Sequence, residues 1–503
     1  MEKIKLVTDY LERAAKNNPN KIGFEDTAGE VTYSEFREKA YKIASEILKF
    51  QHNKKPIAVY LDKGIISLEA AFGVVYTNNF YSFLDTDMPI ARIQKILEIM
   101  EPCLIVTDEK HVGNLSDFNI PVILVDNIEE TNIDIEGIKK CREKAIDTDL
   151  VYILFTSGST GNPKGVVISH INIITYMNWS KEAFGFNGDT VFGNQTPFYF
   201  SMSVLDIFQT FNCTCKLVII PKKLFSFPIE LLEFINEHNI NTIYWVPSAL
   251  CQVANMSALE RVSLPNLKTI LFAGEVMPTK QLNIWRRHIP DALYGNLFGP
   301  TEVTDICTYY ILDRALTDDE SVPIGKACDN MDVMIIKEGG QLAQRNEIGE
   351  LCVRGSSVAY GYYNNPEKTA QSFVQNPLNK SYIEIVYKTG DLVYVNDIDE
   401  IIYVSRKDFQ IKHMGYRIEL GEIETAVSSV DGIMRNCCLY DIENSKIVLF
   451  YTGELEVNEL RKKLKKLLPK YMLPNIYNKL EDIPLNLNGK IDRSLLKQKM
   501  EGK

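Results

Sequence analysis

Over its first 150 residues the chain alternates helix-period stretches with short apolar runs. "YSEFREKAYKIASEILKF" (33–50) repeats apolar side chains three and four positions apart, the spacing of an amphipathic helix. "IAVYL" (57–61), "CLIVTD" (103–108), "VILV" (122–125) and "LVYILF" (150–155) are short and apolar, as buried strands are. That alternation predicts an α/β sheet. The pattern resumes from 165 to about 300, with a helix at "ELLEFINEHN" (230–239) and strands at "INTIYWV" (240–246) and "LKTILFAGE" (267–275). From about 320 to 405 the text turns β-rich, with turns at "KEGGQ" and "NDIDE". The last hundred residues form a small α+β unit, and the boundary falls in "SRKDFQIKHMGYR" (405–417). The fold class expected is α/β: a large N-terminal multi-sheet domain over 1–407 and a small α+β domain over 408–503. The basic run "RKKLKKLLPKYMLP" (461–474) reads as the solvated face of an amphipathic helix ended by Pro469.

One loop interrupts this pattern with chemistry. "FTSGSTGNPKG" (155–165) follows the strand-like "LVYILF" and brings together three glycines, four hydroxyls and a lysine. Gly158, Gly161 and Gly165 let a ligand approach the main chain. Thr156, Ser157, Ser159 and Thr160 add short donors, and Lys164 adds a positive charge. Clustered N–H groups beside an ammonium make an anion site, and phosphate suits it best. The spacing departs from the common P-loop, because Gly165 follows Lys164 where Ser or Thr should stand.

Composition narrows the partners. The chain has 503 residues, enough for two or more domains, and a formal charge of −11. An acidic surface argues against nucleic acid and membrane surfaces and fits a small-molecule enzyme. No apolar run approaches a membrane span, and "MEKIKLVTDYLERAAKNNPN" has no signal-peptide core. Ten cysteines without CxxC, and six histidines without HExxH, read as reduced core thiols in a cytoplasmic protein and not as a metal site.

Four further stretches follow the loop in fixed order: "NLFGPTEVTD" (296–305), "YKTGDL" (387–392), "SRKDFQIKHMGYRIELGEIE" (405–424) and "LNLNGKIDR" (485–493). With these five motifs the sequence resembles the ANL superfamily of adenylate-forming enzymes. It is most similar to free-standing adenylation enzymes of the nonribosomal peptide synthetase type, which include D-alanine–carrier protein ligases. "GYRIELGEIE" and "LPKYMLP" (468–474) match that branch better than the CoA branch.

The resemblance implies a reaction in two halves. A carboxylate and ATP give acyl-AMP and pyrophosphate with Mg²⁺, and a thiol then takes the acyl group as a thioester. Residues 157–165, with Lys164, would grip the β- and γ-phosphates. Glu302 would hold Mg²⁺. Phe298 would stack on adenine, with Gly299 and Thr301 beside it, and Asn296 and the backbone of Gly274 and Glu275 would meet the adenine edge. Asp391 would accept the ribose hydroxyls, and Arg406 would contact ribose or phosphate. Lys490 would bridge carboxylate and α-phosphate. Asp408 would be the hinge that exchanges Lys490 for "KHMGYR" (412–417), bringing in Lys412 and placing Gly415 beside the thiol arm, so the small domain is expected to be mobile. Asp408 as a plain turn cap is the companion reading. The chain carries no carrier segment after Lys490, so a phosphopantetheinyl carrier protein acting in trans is the expected acceptor, ahead of CoA.

The substrate pocket departs from the family pattern. Amino-acid-activating relatives carry an aspartate where "TPFYFSMSVLDIF" (196–208) has Ser201, and a neutral hydroxyl does not balance a buried α-ammonium. The other pocket positions are Met202, Leu205, Tyr244, Leu271, Ala273, Leu297, Asp305 and Ile306. Ala273 stands where D-alanine ligases typically have Cys. Asp305 is the acid expected to face the pocket, pairing with an amine set away from the carboxylate, as in a β-amino acid; for a hydroxylated aromatic acid, Tyr244 or Asp305 would accept the hydroxyl. A solvated or capping aspartate is the alternative. Asp206 is read as part of a generic helix. A D-alanine–carrier ligase, an acyl- or aryl-CoA ligase and a nucleotide-binding scaffold stay open as other functions.

Overall fold

The computed structural model describes residues 4–158, 162–442, 444–484 and 491–500. The chain divides into two compact units. The first comprises Met1–Thr86, Met100–Leu154 and Gly165–Lys407; the second comprises Asp87–Ile99, Phe155–Lys164 and Asp408–Lys503. Two internal segments, one of them carrying the glycine-rich loop, thus group with the C-terminal part of the chain.

Apolar runs become strands where sequence periodicity places them. "IAVYL", "CLIVTD", "VILV" and "LVYILF" lie on Pro56–Tyr60, Leu104–Thr107, Val122–Leu124 and Leu150–Thr156 of a six-stranded sheet. The amphipathic stretch at 33–50 is the helix Tyr33–Leu48. Its start is set by a capping box: the Thr32 hydroxyl accepts from Glu35 N at 3.2 Å, and the Glu35 carboxylate accepts from Thr32 N at 2.8 Å.

A nine-stranded sheet dominates the first unit. In spatial order its strands are Lys326–Ala327, Thr308–Ile311, Leu293–Phe298, Thr269–Phe272, Thr242–Trp245, Val191–Asn194, Lys216–Ile219, Ile22–Asp26 and Gly29–Thr32. The strands from Leu293–Phe298 to Ile22–Asp26 are mutually parallel, and antiparallel strands close both edges. Side chains alternate between its faces. Tyr244, Leu271, Ala273 and Leu297 belong to one core with the helices His170–Phe184 and Ser203–Cys213. Ile243, Trp245, Ile270 and Phe272 belong to the other, with Pro228–Glu237, Pro247–Asn255 and Thr279–His288. Residues 331–406 build a five-stranded antiparallel sheet in which Asp391 pairs with Arg406.

In the second unit a hairpin, Gln410–His413 with Tyr416–Glu419, precedes the helix Leu420–Ser428. Its two-residue turn, Met414-Gly415, has φ of 52° and 80°, the mirror-image turn that matches strand twist. A three-stranded sheet (Ile433–Asp441, Lys446–Gly453, Ile476–Lys479) packs one face on Leu420–Ser428 and Val457–Leu464. The basic helix stops at Leu464, short of Pro469, which instead introduces the turn Lys470–Met472. Leu460 and Leu464 are its buried side chains, while its basic residues stay solvated. Among the described residues no helix is long and apolar enough to cross a membrane. All ten cysteines are free, most of them buried.

Candidate active site

In an open parallel sheet, ligands bind outside the carboxyl ends of the strands. In the nine-stranded sheet, four adjacent strands end at Asn194, Trp245, Phe272 and Phe298. Their register sets Tyr244 beside Leu271 and Leu271 beside Gly295, so Tyr244, Leu271, Ala273 and Leu297 project from one face. Met202, Leu205 and Ile306 are buried in the same apolar core. Phe298 is buried, its ring 5.9 Å from that of Tyr403.

The loop after Phe298 is tightly drawn. A Cβ added at Gly299 would lie 2.3 Å from the Asp305 carbonyl oxygen, so only glycine fits. Thr304 takes φ 73° and ψ −53°, a strained conformation for a β-branched residue, and its hydroxyl donates to Ser357 O at 2.7 Å. On this loop Glu302 is fully buried and accepts the Tyr362 hydroxyl at 2.7 Å. The Thr301 hydroxyl lies 3.5 Å from that of Ser201.

Asp305 is buried, and its Oδ2 accepts two phenols, Tyr176 at 2.8 Å and Tyr244 at 3.0 Å. Burial pushes its carboxyl up to about 6, while the hydroxyls of Tyr176, Tyr244 and Ser201 pull it back. Asp305 is therefore not solvated. Asp206, on the first turn of Ser203–Cys213, has no exposed surface, and its Oδ2 accepts Asn194 Nδ2 at 2.9 Å. Burial pushes it up to about 8, opposed by Asn194 and by Lys63. Lys63 itself is pushed down to about 7 by burial and donates to Gln195 O at 3.1 Å.

Other sequence candidates have protein partners. Asn296 donates its amide to Pro323 O at 2.7 Å. Glu275 accepts Ser248 N at 2.9 Å at the start of Pro247–Asn255, and Gly274 has φ 91°. Asp391 accepts Arg406 Nη1 at 3.0 Å, and Arg406 also donates to Thr389 O at 2.8 Å.

In the second unit, Ser157 donates to Arg417 O at 2.7 Å and accepts from Glu419 N at 3.2 Å. Gly158 N donates to Glu422 Oε2 at 3.2 Å, and buried Lys164 stands 3.7 Å from Glu419 Oε1. Glu422 is also ion-paired with buried Arg92. Two carboxylates of "RIELGEIE" therefore engage the loop's donor groups. Thr156 Oγ1 reaches Lys164 O at 3.5 Å. Asp408 caps a turn through Gln410 N at 3.3 Å, and Lys412 pairs across the hairpin with Arg417. Ser159, Thr160, Gly161 and Lys490 lie outside the described residues.

Sequence reasoning missed Tyr176, Lys63 and Asn194. Tyr176 lies 129 positions from its partner Asp305, inside an apolar helix that reads as plain core.

A family model described as AMP-binding enzyme matches residues 11–363. Zwittermicin A synthase ZmaJ of Bacillus cereus is 30% identical over 97% of this chain and 94% of its own length. A D-alanine–D-alanyl carrier protein ligase of Listeria monocytogenes is 31% identical over 98% of this chain and 99% of its own. Gramicidin S synthase 2 of Aneurinibacillus migulanus is 32% identical over 97% of this chain, which spans 11% of that protein. Among solved structures, the Vibrio cholerae adenylation domain AlmE in complex with glycyl-adenosine-5'-phosphate superposes with a TM-score of 0.84 at 22% identity, covering 100% of this chain and 99% of that one.

Proposed function

The chain belongs to the AMP-binding enzymes of the adenylate-forming ANL superfamily, and from that premise we propose that it activates a small amine-bearing acid and passes it to a carrier protein. ATP is the nucleotide of this family. The substrate's carboxylate oxygen attacks the α-phosphorus, pyrophosphate leaves, and the acyl-adenylate forms. A phosphopantetheine thiolate then attacks the acyl carbon, a thioester forms and AMP leaves. The acceptor reading is supported by relatives named as carrier-protein ligases.

Within this reading Lys164 and the backbone of 157–161 neutralise the departing phosphates, Phe298 stacks on adenine, and Asp391 with Arg406 holds the ribose. Lys490 steadies the charge that builds between carboxylate and phosphate. Mg²⁺ would be held by Glu302, whose buried, Tyr362-bonded carboxylate is the hard oxygen donor this cation takes, with phosphates and water completing its shell. Bound there, it would screen phosphate charge. Lys407 and Asp408 mark the junction at which the small domain, 408–503, would turn between half-reactions.

The observation that carries the substrate reading is Asp305. It is a buried carboxylate among apolar pocket side chains, while Ser201 holds the position of the usual amine-pairing acid. An amine set away from the acid carbon, as in a β-amino acid, pairs with it. A D-alanine–carrier ligase is the second reading, favoured by 31% identity along 99% of the Listeria enzyme.

ATP–pyrophosphate exchange with Mg²⁺ over β-amino acids, D-alanine, hydroxybenzoates and fatty acids tests this. β-Amino acids are expected to lead, D-alanine to be weak, and Lys490→Ala to be inactive. Asp305→Asn is expected to abolish exchange with amine-bearing acids alone. Strong D-alanine exchange would decide for the second reading, and no exchange with any acid would refute the enzymatic one.

A further inference from the structure

We propose that Tyr176 is a specificity-determining residue: with Tyr244 it commits its proton to Asp305, so that these three side chains meet a ligand as hydrogen-bond acceptors. The proposal rests on the adenylation reading above and names the group the acid must carry.

A phenol has one proton. Tyr176 and Tyr244 both direct theirs at one atom, Asp305 Oδ2, at 2.8 and 3.0 Å. Both rings are almost wholly buried, at 2% and 0% exposure, so no water competes for those protons. Burial and the adjacent carboxylate hold both phenols far above their ordinary titration range, so they stay donors to Asp305. Ser201 adds a third hydroxyl alongside the carboxyl and itself accepts from Thr301. What Tyr176, Tyr244 and Asp305 offer a ligand is lone pairs: those of the two phenols and of the carboxylate. Met202, Leu205, Leu271, Ala273 and Leu297, buried in the same core as the two phenols, are apolar.

A substrate group that reaches this place must bring protons. An ammonium brings three and a charge opposite to that of Asp305; a hydroxyl brings one; a methyl brings none and leaves buried acceptors unpaired. The expected preference is therefore amine, then hydroxyl, then methyl at the same position of the acid. Other titratable groups around the carboxyl are Asp206, Tyr152 and Cys328, each coupled to Asp305 through space. Lys63, the nearby cation, acts on Asp206.

The phenols also decide when Asp305 is ionised. Removing one donor raises its proton affinity, so the amine must then displace a proton at a pH where none was bound before. The test measures kcat/KM for pyrophosphate exchange from about pH 5 to 8, using a β-amino acid and its des-amino isostere. The wild type is expected to favour the amine-bearing acid, with activity falling on the acid side. Tyr176→Phe is expected to move that acid limb up by about one pH unit. Tyr244→Phe should move it the same way, which covers the case that one variant fails to fold. The des-amino acid serves as internal control, since its limb should stay put. An unmoved limb in both Phe variants, equal displacement with the des-amino acid, or a wild type that favours the des-amino acid would each overturn the proposal. Wild-type enzyme inactive with every acid would instead refute the adenylation reading itself.

Discussion

Asp206 lies on the first turn of Ser203–Cys213, with one carboxyl oxygen bonded to Asn194 and the other, like Asn194 Oδ1, without a partner among the described residues. Burial holds its carboxyl protonated up to about 8 in the folded state. The unfolded carboxyl releases its proton near pH 4, so the folded state binds more protons between those values. Asp206 thus makes stability fall as pH rises from about 4 to 8, by up to about 1.4 kcal/mol per unit. Lys63 acts in the opposite sense: it is depressed to about 7 when folded, so its contribution grows as pH rises from there toward the ordinary lysine value. Asp206→Asn keeps a neutral donor–acceptor pair with Asn194 and removes the carboxyl's titration. Thermal melts should show this variant gaining on the wild type as pH rises, with the difference flat above pH 8. Equal pH dependence in the two proteins would show that Asp206 is ionised in its native site. Sequence alone read this residue as generic, because nothing in "SVLDIF" says that Asn194 and Lys63 are its neighbours.

At the scale of elements, periodicity was a good guide and long-range anchoring was invisible to it. The strands and the helix at 33–50 were legible within a few residues, because alternating burial imposes a period on the chain. How helices are tied to one another was not. The helix Val7–Asn17 starts with an N–H that its own turn does not satisfy, and His170, first residue of His170–Phe184, accepts it through Nδ1 at 3.1 Å. Burial pushes His170 down to about 4, so it stays neutral and keeps that lone pair. The unfolded imidazole takes a proton near pH 6.5, so this contribution is present above that value and is lost as pH falls through 4. His170→Asn offers an acceptor that does not titrate. Wild-type melting temperature should therefore drop more steeply than the variant's between pH 6.5 and 4, and the Val7 amide of the wild type should lose protection from hydrogen exchange relative to its intrinsic rate at each pH. Parallel curves would remove His170 from that role.

At the scale of the molecule, the grouping of Asp87–Ile99 and Phe155–Lys164 with Asp408–Lys503 has a residue-level basis inside the second unit. Arg92 pairs with Glu422, and Glu422 and Glu419 engage the Gly158 amide and the Lys164 ammonium. Removing one partner of a buried pair leaves the other charge uncompensated and costs about 3–5 kcal/mol, whereas an apolar replacement of both is often neutral. Arg92→Met should therefore destabilise the second unit, and Arg92→Met with Glu422→Gln, which removes the unpaired charge and keeps an acceptor for the Gly158 amide, should recover most of the loss. All three tryptophans, Trp179, Trp245 and Trp285, lie in the first unit. Hydrogen exchange along 420–453 is thus the measurement to use, and wild-type protection in Arg92→Met would rule the pair out as an anchor.

By itself the sequence determined the α/β class, the order of strands and helices, and the family through its five motifs, because periodic burial and glycine-rich turns are local properties of a chain. It also marked Asp305 as the acid to watch and Ser201 as the neutral substitute. Only the tertiary structure decided that Tyr176 and Tyr244 share one oxygen of Asp305, that Asp206 pairs with Asn194, and that Glu419 and Glu422 engage the glycine-rich loop. These are contacts between side chains far apart in the chain. Burial around them sets their proton affinities, and no local pattern of residues records which groups a fold will bury together.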